Sequence, residues 1–347
     1  MKEAKQFKIS QVLIPIGIGM GVIVWLFMRE FDYMSFSEIR FTLCSVGFLL
    51  LAFLFMFGRD FGMIWRFRIM SDKKLSWIQA FNIHILNEFT SAVTPSAVGG
   101  SALVVLFLNK EGLSVGRSTA IMITNLFLDE LFFIIICPVI FLFVPLAELF
   151  NVTSVISATI GVVFWSIYGI LFVWTCILFI GLFYRPDLVA GVFRLIFRLP
   201  ILSRWHNKMN SFSESLIHAS EEINKKSFLF WIKAFITTAL SWILRFLLVN
   251  ALFMAFMPIN NHFVIFGRQV MLWIVMVLSP TPGASGLTEI AFKEYYSDLH
   301  LGSGPILLII LIWRIISYYL YLLLGVLIIP KWIKKSFIGN NAHIKNV

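Results

Sequence analysis

The stretch Ser279-Pro280-Thr281-Pro282-Gly283-Ala284-Ser285-Gly286 decides how this chain is read. It interrupts an apolar region, 262–296, that is otherwise long enough to enter or cross a bilayer. Its prolines remove backbone donors and break a helix, and its glycines admit the turn. Backbone left unpaired has no partner in hydrocarbon, so the break must be buried in protein or line a wet cavity. A second interruption, Thr94-Pro95-Ser96-Ala97-Val98-Gly99-Gly100, divides region 77–108. Each region reads as a helical hairpin, either re-entrant or fully crossing.

The rest of the composition agrees. Of 347 residues, 59% are apolar and 13% charged, and the mean hydropathy is +0.90. An ordinary soluble domain is about 45–50% apolar and about 25% charged. A soluble enzyme, a disordered tail and a nucleic-acid reader are excluded; the net charge of +10 reflects Lys and Arg of cytoplasmic loops. Uninterrupted apolar runs fall at 12–28, 41–57, 118–144, 155–184, 228–257 and 305–330. The expected fold is an all-α polytopic membrane protein with six full spans and two Pro/Gly-broken hairpins. Residues 1–347 form one transmembrane domain: an N-tail (1–11), a first half (12–184), a basic loop (185–227), a second half (228–330) and a C-tail (331–347). The basic start, Met1 to Lys8, imitates a signal peptide, but run 12–28 is long and lacks a small-residue cleavage site, so it reads as a retained span.

Lys and Arg counts set the orientation. With the N-terminus in the cytoplasm, 21 of the 28 basic residues are cytoplasmic, among them Arg59, Arg66, Arg68, Lys73 and Lys74, read as a loop after the second span. The C-terminus is then cytoplasmic as well. One hairpin enters from inside and the other from outside, each followed by a full span. Pro95-Ser96-Ala97-Val98-Gly99 aligns with Pro282-Gly283-Ala284-Ser285-Gly286 at an offset of 187. Two halves of opposite sense are the pattern of an inverted-topology repeat. Within 185–227, the spacing of Leu188, Val189, Val192, Phe193 and Ile196 reads either as an amphipathic helix on the inner leaflet or as a packed linker helix.

Charges in apolar runs are costly and therefore informative. They are Glu88, Asp129, Glu130, Lys233, Arg245, Glu289 and Arg314. Counted at about 1.5 Å per residue, Asp129, Arg245 and Arg314 lie near the midplane, whereas Lys233 can snorkel to the surface. Glu130 points about 100° away from Asp129. One reading makes Arg314 and Asp129 a structural ion pair. The other is a site: each break starts a new helix whose free N–H groups and positive dipole end suit phosphate or carboxylate. Ser96, Ser101, Ser285 and Thr288 add hydroxyls, and Gly99, Gly100, Gly283 and Gly286 let the backbone approach. Arg245 and Arg314 add charge. The same breaks also serve close helix packing. Cys44, Cys137 and Cys176 make no pair, the histidines have no ligand spacing, and no nucleotide-loop, zinc-protease, hydrolase or Asp-x-Asp motif is present. No metal site, cofactor or catalytic residue is expected.

These segments resemble the membrane region of lysylphosphatidylglycerol synthetase/flippases and related flippase-like membrane proteins. Pro95 to Gly100 is similar to the family's Pro-x-x-x-Gly-Gly element, and Asn125-Leu126-Phe127-Leu128-Asp129 to its Glu-Arg-x-x-Asp element. Pro280 to Glu289 is similar to Pro-x-Pro-Gly-Gly-x-Gly-x-x-Glu, and Trp313-Arg314 to Tyr-Arg. The family's first arginine is Leu126 here, and its second Gly-Gly is Gly283-Ala284. The resemblance implies a lipid-flipping fold with two opposed re-entrant hairpins. It also implies no aminoacylation, because the chain continues only 17 residues past Pro330.

The expected function is movement of an anionic phospholipid or polyprenyl-phosphate-linked lipid across a bacterial-type inner membrane. The head group sits at Ser96–Ser101 and Ser285–Glu289, with Arg314 on phosphate, Asp129 and Glu289 steadying that arginine or binding a cationic head group, and Glu88 a weaker candidate. The partners expected are the lipid and a separate lipid-synthesising enzyme, with no nucleic acid. An ion-coupled transporter of a small solute, and a membrane transferase or accessory subunit, fit the same residues.

Overall fold

The computed structural model describes residues 28, 41–94, 97–150, 155–185, 187, 206–257, 261–277, 279, 281–299 and 303–333. The expected first span, apart from Met28, and the expected amphipathic segment 188–197 lie outside them. The described chain is helical: α1 (Leu43–Met70), α2 (Trp77–Val93), α3 (Ala97–Lys110), α4 (Val115–Phe143), α5 (Leu146–Phe150), α6 (Val155–Phe183), α7 (His206–Asn224), α8 (Phe228–Phe256), α9 (His262–Met276), α10 (Leu287–Tyr295) and α11 (Ser303–Arg314). A π-helical turn (Ile315–Tyr319) joins α11 to α12 (Leu320–Ile333). Local chemistry sets the starts. Thr42, Ser76, Ser114, Ser227 and Asn261 each accept a backbone N–H of the first turn.

Among the described residues, five stretches are long and apolar enough to cross a membrane: Leu43–Met70, Val115–Phe143, Gly161–Phe183, Phe228–Phe256 and Gly304–Pro330. The hairpin helices are different. α2, α3, α9 and α10 have 17, 14, 15 and 9 residues. Each is therefore shorter than the roughly 30 Å hydrocarbon core at about 1.5 Å per residue. The series long helix, broken hairpin, long helix occurs twice, as α1 to α4 and as α8 to α12. An offset of 187 carries every bound of the first series onto the second to within four residues. The motif alignment across the two breaks thus extends to the whole element pattern.

Two expectations need correction. The second span does not end at residue 57: α1 runs on to Met70, and Arg59 and Arg66 lie on its buried face, not in a loop. Hydropathy stopped at these charges because it averages round the helix. The exposed face stays apolar much further, through Leu50, Phe53, Leu54, Phe57, Phe61 and Trp65. Removing both arginines from the expected cytoplasmic tally leaves 19 of 28. The inventory of costly charges was also short by Arg59, Asp60, Arg66 and Arg268. Arg268, 1% exposed, donates to the Glu148 and Tyr295 carbonyls and to Asp298, clamping α9 to α5 and the end of α10. The loop 185–227 contains α7, which packs on α4 beside the Arg117–Glu222 pair.

The broadest helix contact joins α1 and α8. Small residues make it possible: a Cβ on Gly62 would collide with the Ser241 hydroxyl and crowd the Thr237 carbonyl. This approach places Arg59 and Arg66 of α1 against Thr238, Trp242 and Arg245 of α8. Gly62→Val is therefore expected to destabilise the protein by about 1–3 kcal/mol through overpacking. Thermal unfolding in detergent, with Gly47→Val as the reference in open space, measures it.

Candidate functional site

A cavity of about 350 Å³ lies among α1, α2, α4, α8, α9, the 279–284 turn and the α11–α12 segment. Its lining carries Arg59, Arg66, Arg245 and Arg314 together with Glu88, Asp129 and Glu130. Such a charge density is tolerated in a low-dielectric interior only where partners are close. The arginines divide sharply on that criterion.

Arg66 makes a two-pronged pair with Asp129, at 2.5 and 3.1 Å, and donates to the Thr238 hydroxyl at 3.1 Å. The Trp242 indole also donates to Asp129, at 2.8 Å. Arg59 donates to Asp60 at 2.8 Å and to Glu88 at 2.5 Å. Asp60 accepts from the Tyr321 hydroxyl at 2.7 Å and lies 3.0 Å from His84 Nε2. Arg314 donates through Nε to Glu289 at 2.6 Å and reaches Ser285 at 3.4 Å and the Gly283 carbonyl at 3.3 Å.

Arg245 is the exception. Its nearest carboxylate is Glu88, 3.9 Å away and already bonded to Arg59. Among the described residues its guanidinium makes no hydrogen bond. It is instead held by aromatic faces, 4.2 Å from the Trp273 centroid and 5.6 Å from that of Trp242. Cation–π contact leaves the in-plane N–H groups free to donate.

The second break is closed by its own residues. Glu289, fully buried, accepts the Gly286 N–H at 2.7 Å, which caps α10. The helix end expected to receive an anion is therefore already occupied by a carboxylate, and Arg314 balances it. The Thr288 hydroxyl is spent on the Ala284 carbonyl. Gly283 has φ +57° and a Cβ there would strike the Tyr318 ring. Ala284 keeps φ +53°, so the backbone holds the left-handed form although the family's glycine is absent. The Tyr318 hydroxyl, on the π turn, donates to the Ala92 carbonyl at 3.2 Å and so ties the two breaks together.

Of the sequence-predicted residues, Asp129, Arg245, Gly283, Thr288 and Arg314 line the cavity; Ser285, Gly286 and Glu289 stand behind Arg314. Gly99, Gly100 and Ser101 lie in the first turns of α3. Ser96 lies outside the described residues. Arg314 and Asp129 are not a pair: each has a different partner. Glu130 turns to the Thr175 hydroxyl at 3.3 Å, and Lys233 is exposed. Sequence reasoning missed Arg59, Asp60, Arg66, Trp242, Trp273, Tyr318 and Tyr321. The seven-residue spacing of Arg59 and Arg66, which repeats one helix face, was the available signal. Among the described residues, no group of His, Cys, Asp and Glu is arranged to hold a metal ion.

Long apolar helices around a charged internal cavity define a polytopic membrane protein with a polar site at its centre. The family described as Lysylphosphatidylglycerol synthase TM region matches residues 12–325, and the chain belongs to that family. It is also similar to a UPF0104 membrane protein of Archaeoglobus fulgidus, 22% identical across 94% of this chain and 99% of that protein. Leu126, which stands where the family has arginine, lines the cavity, and Asp129 takes its cation from Arg66 of α1.

Asp129→Asn leaves Arg66 buried without its carboxylate and is expected to cost about 3–5 kcal/mol. The double substitution Arg66→Met with Asp129→Leu removes both charges and is expected to recover most of that loss. Denaturation midpoints of the three proteins decide it.

Proposed function

We propose that this protein moves a lipid with an anionic head group, a phospholipid or a polyprenyl-phosphate-linked lipid, across the membrane. The observation that carries the reading is Arg245: a cation in a central cavity, stacked on two tryptophans, with no hydrogen-bonded partner among the described residues. A phosphate oxygen is the natural acceptor for a planar guanidinium. The family description supports a lipid reading, since lysylphosphatidylglycerol is a phospholipid. In this reading the short hairpins are re-entrant and the tails stay in the bilayer, so only the head group needs the polar cavity. Arg314, Glu289 and Asp129 hold the cavity's shape. Arg245 binds.

The same reading places the protein in a bacterial-type inner membrane with both termini cytoplasmic, moving lipid made by a separate enzyme and catalysing no reaction itself. The cavity volume of about 350 Å³ also falls in the range of small-ligand sites, about 300–1,000 Å³. It therefore favours an ion-coupled solute transporter as the second reading.

Reconstituted vesicles carrying fluorescent phosphatidylglycerol, with chemical quenching of the outer leaflet, separate the two. The wild type is expected to expose inner-leaflet label. Arg245→Ala is expected to lower that rate at least tenfold, equivalent to about 1.4 kcal/mol. An unchanged rate in Arg245→Ala, or no movement of any anionic lipid by the wild type, contradicts the proposal.

A further inference from the structure

Arg245 does not stand alone. Around it, α1 contributes Arg59 and Asp60, α2 contributes His84 and Glu88, and α12 contributes Tyr321. Arg66 and Asp129 with Trp242, and Arg314 with Glu289, are the neighbouring pairs, each closed on itself. Glu130 is directed to Thr175 of α6. With a neutral imidazole, the two arginines and two carboxylates of the inner cluster sum to zero. A monoanionic head group on Arg245 leaves that cluster one negative charge in excess, deep in a medium that penalises unbalanced charge.

The groups able to restore balance can be taken in turn. Arginine stays protonated throughout. Tyr321 already donates its proton to Asp60. Asp60 and Glu88 both hold Arg59 as acceptors, and protonating either one weakens a buried arginine's only carboxylate contacts. His84 remains. It is 1% exposed as a residue yet borders the cavity, and its Nε2 lies 3.0 Å from Asp60. With Nε2–H directed at Asp60, the second ring nitrogen is the one that gains the proton. The resulting imidazolium lies 3.0 Å from Asp60, which offsets the like charge of the Arg59 guanidinium, 3.5 Å from the same Nε2.

We infer that each phosphodiester head group bound at Arg245 is accompanied by one proton taken up on His84, so that the protein is a proton–lipid symporter. This rests on the anion reading of Arg245 given above. The balance is one negative charge and one proton entering together from the cavity and leaving together. The phosphate chemistry is shared by a lipid head group and free phosphate, and the two are separated by using both as probes.

The test is isothermal titration calorimetry on the purified full chain in detergent. Dihexanoylphosphatidylglycerol and, separately, inorganic phosphate are titrated in buffers of differing ionisation enthalpy. The wild type is expected to take up one proton per lipid bound. Its affinity is expected to fall with rising pH, by up to about tenfold per pH unit, wherever binding carries the proton with it. His84→Gln, whose amide can still donate to Asp60, is expected to bind lipid with neither proton uptake nor that pH slope. Lipid binding by the wild type without proton uptake overturns the symport. Uptake that persists in His84→Gln overturns the assignment to His84. Binding of phosphate with the same proton uptake, but not of the lipid, overturns the lipid as cargo. Absence of binding by either probe overturns the anion reading beneath it. The wild-type measurements stand even if His84→Gln fails to fold.

Discussion

A charge buried away from water must find an opposite charge or a polarisable face, and that constraint organises this molecule. Arg66 and Asp129 join α1 to α4. Arg59 and Glu88 join α1 to α2. Arg314 and Glu289 join α11 to the start of α10. Each pair links a long helix to its neighbour or to a hairpin, so the pairs also fix where the hairpins sit. Removing a single member leaves its partner uncompensated, which is why such pairs resist substitution one residue at a time. Arg245 is held by tryptophan faces instead of oxygen, with no hydrogen-bonded partner among the described residues.

The two breaks are linked through one tyrosine. At the second, the carboxylate of Glu289 fills the helix terminus and the left-handed residues Gly283, Ala284 and Gly286 turn the backbone around Arg314. That break is a structural joint. Tyr318 connects it to the first, packing on Gly283 and donating to Ala92. This tyrosine sits on the π turn, a local widening of the helix that recurs at functional sites. The repeat therefore contributes paired scaffolds meeting at one side chain, with the cavity beside it.

Much of the fold was legible in the chain. Proline and glycine clusters marked both breaks because their backbone effects are local and strong, and α4, α6, α8 and the last span fell where the apolar runs lie. The internal repeat was visible in five aligned residues and holds at the level of whole elements. The site was legible only in part. Asp129, Arg245 and Arg314 stood out as charges in apolar runs, but their partners did not. Arg59 and Arg66 lie toward the end of a helix whose hydropathy they themselves interrupt, so an averaged profile read them as loop. Pairing is a property of packing: nothing in the sequence distinguishes Arg314–Glu289 from Arg314–Asp129 until α10 is folded back over α11. The closure of α10 by Glu289 was available from the Gly286-x-x-Glu289 spacing, the capping-box pattern with glycine at the cap.

The central claim is that Arg245 receives an anionic head group. Native mass spectrometry with lipid analysis, on wild type and Arg245→Ala purified side by side in mild detergent, tests it most directly. One anionic lipid class is expected to be enriched over the bulk membrane in the wild type and lost in the variant. Equal retention by both proteins would contradict it, and would make Arg245 a packing residue for Trp242 and Trp273.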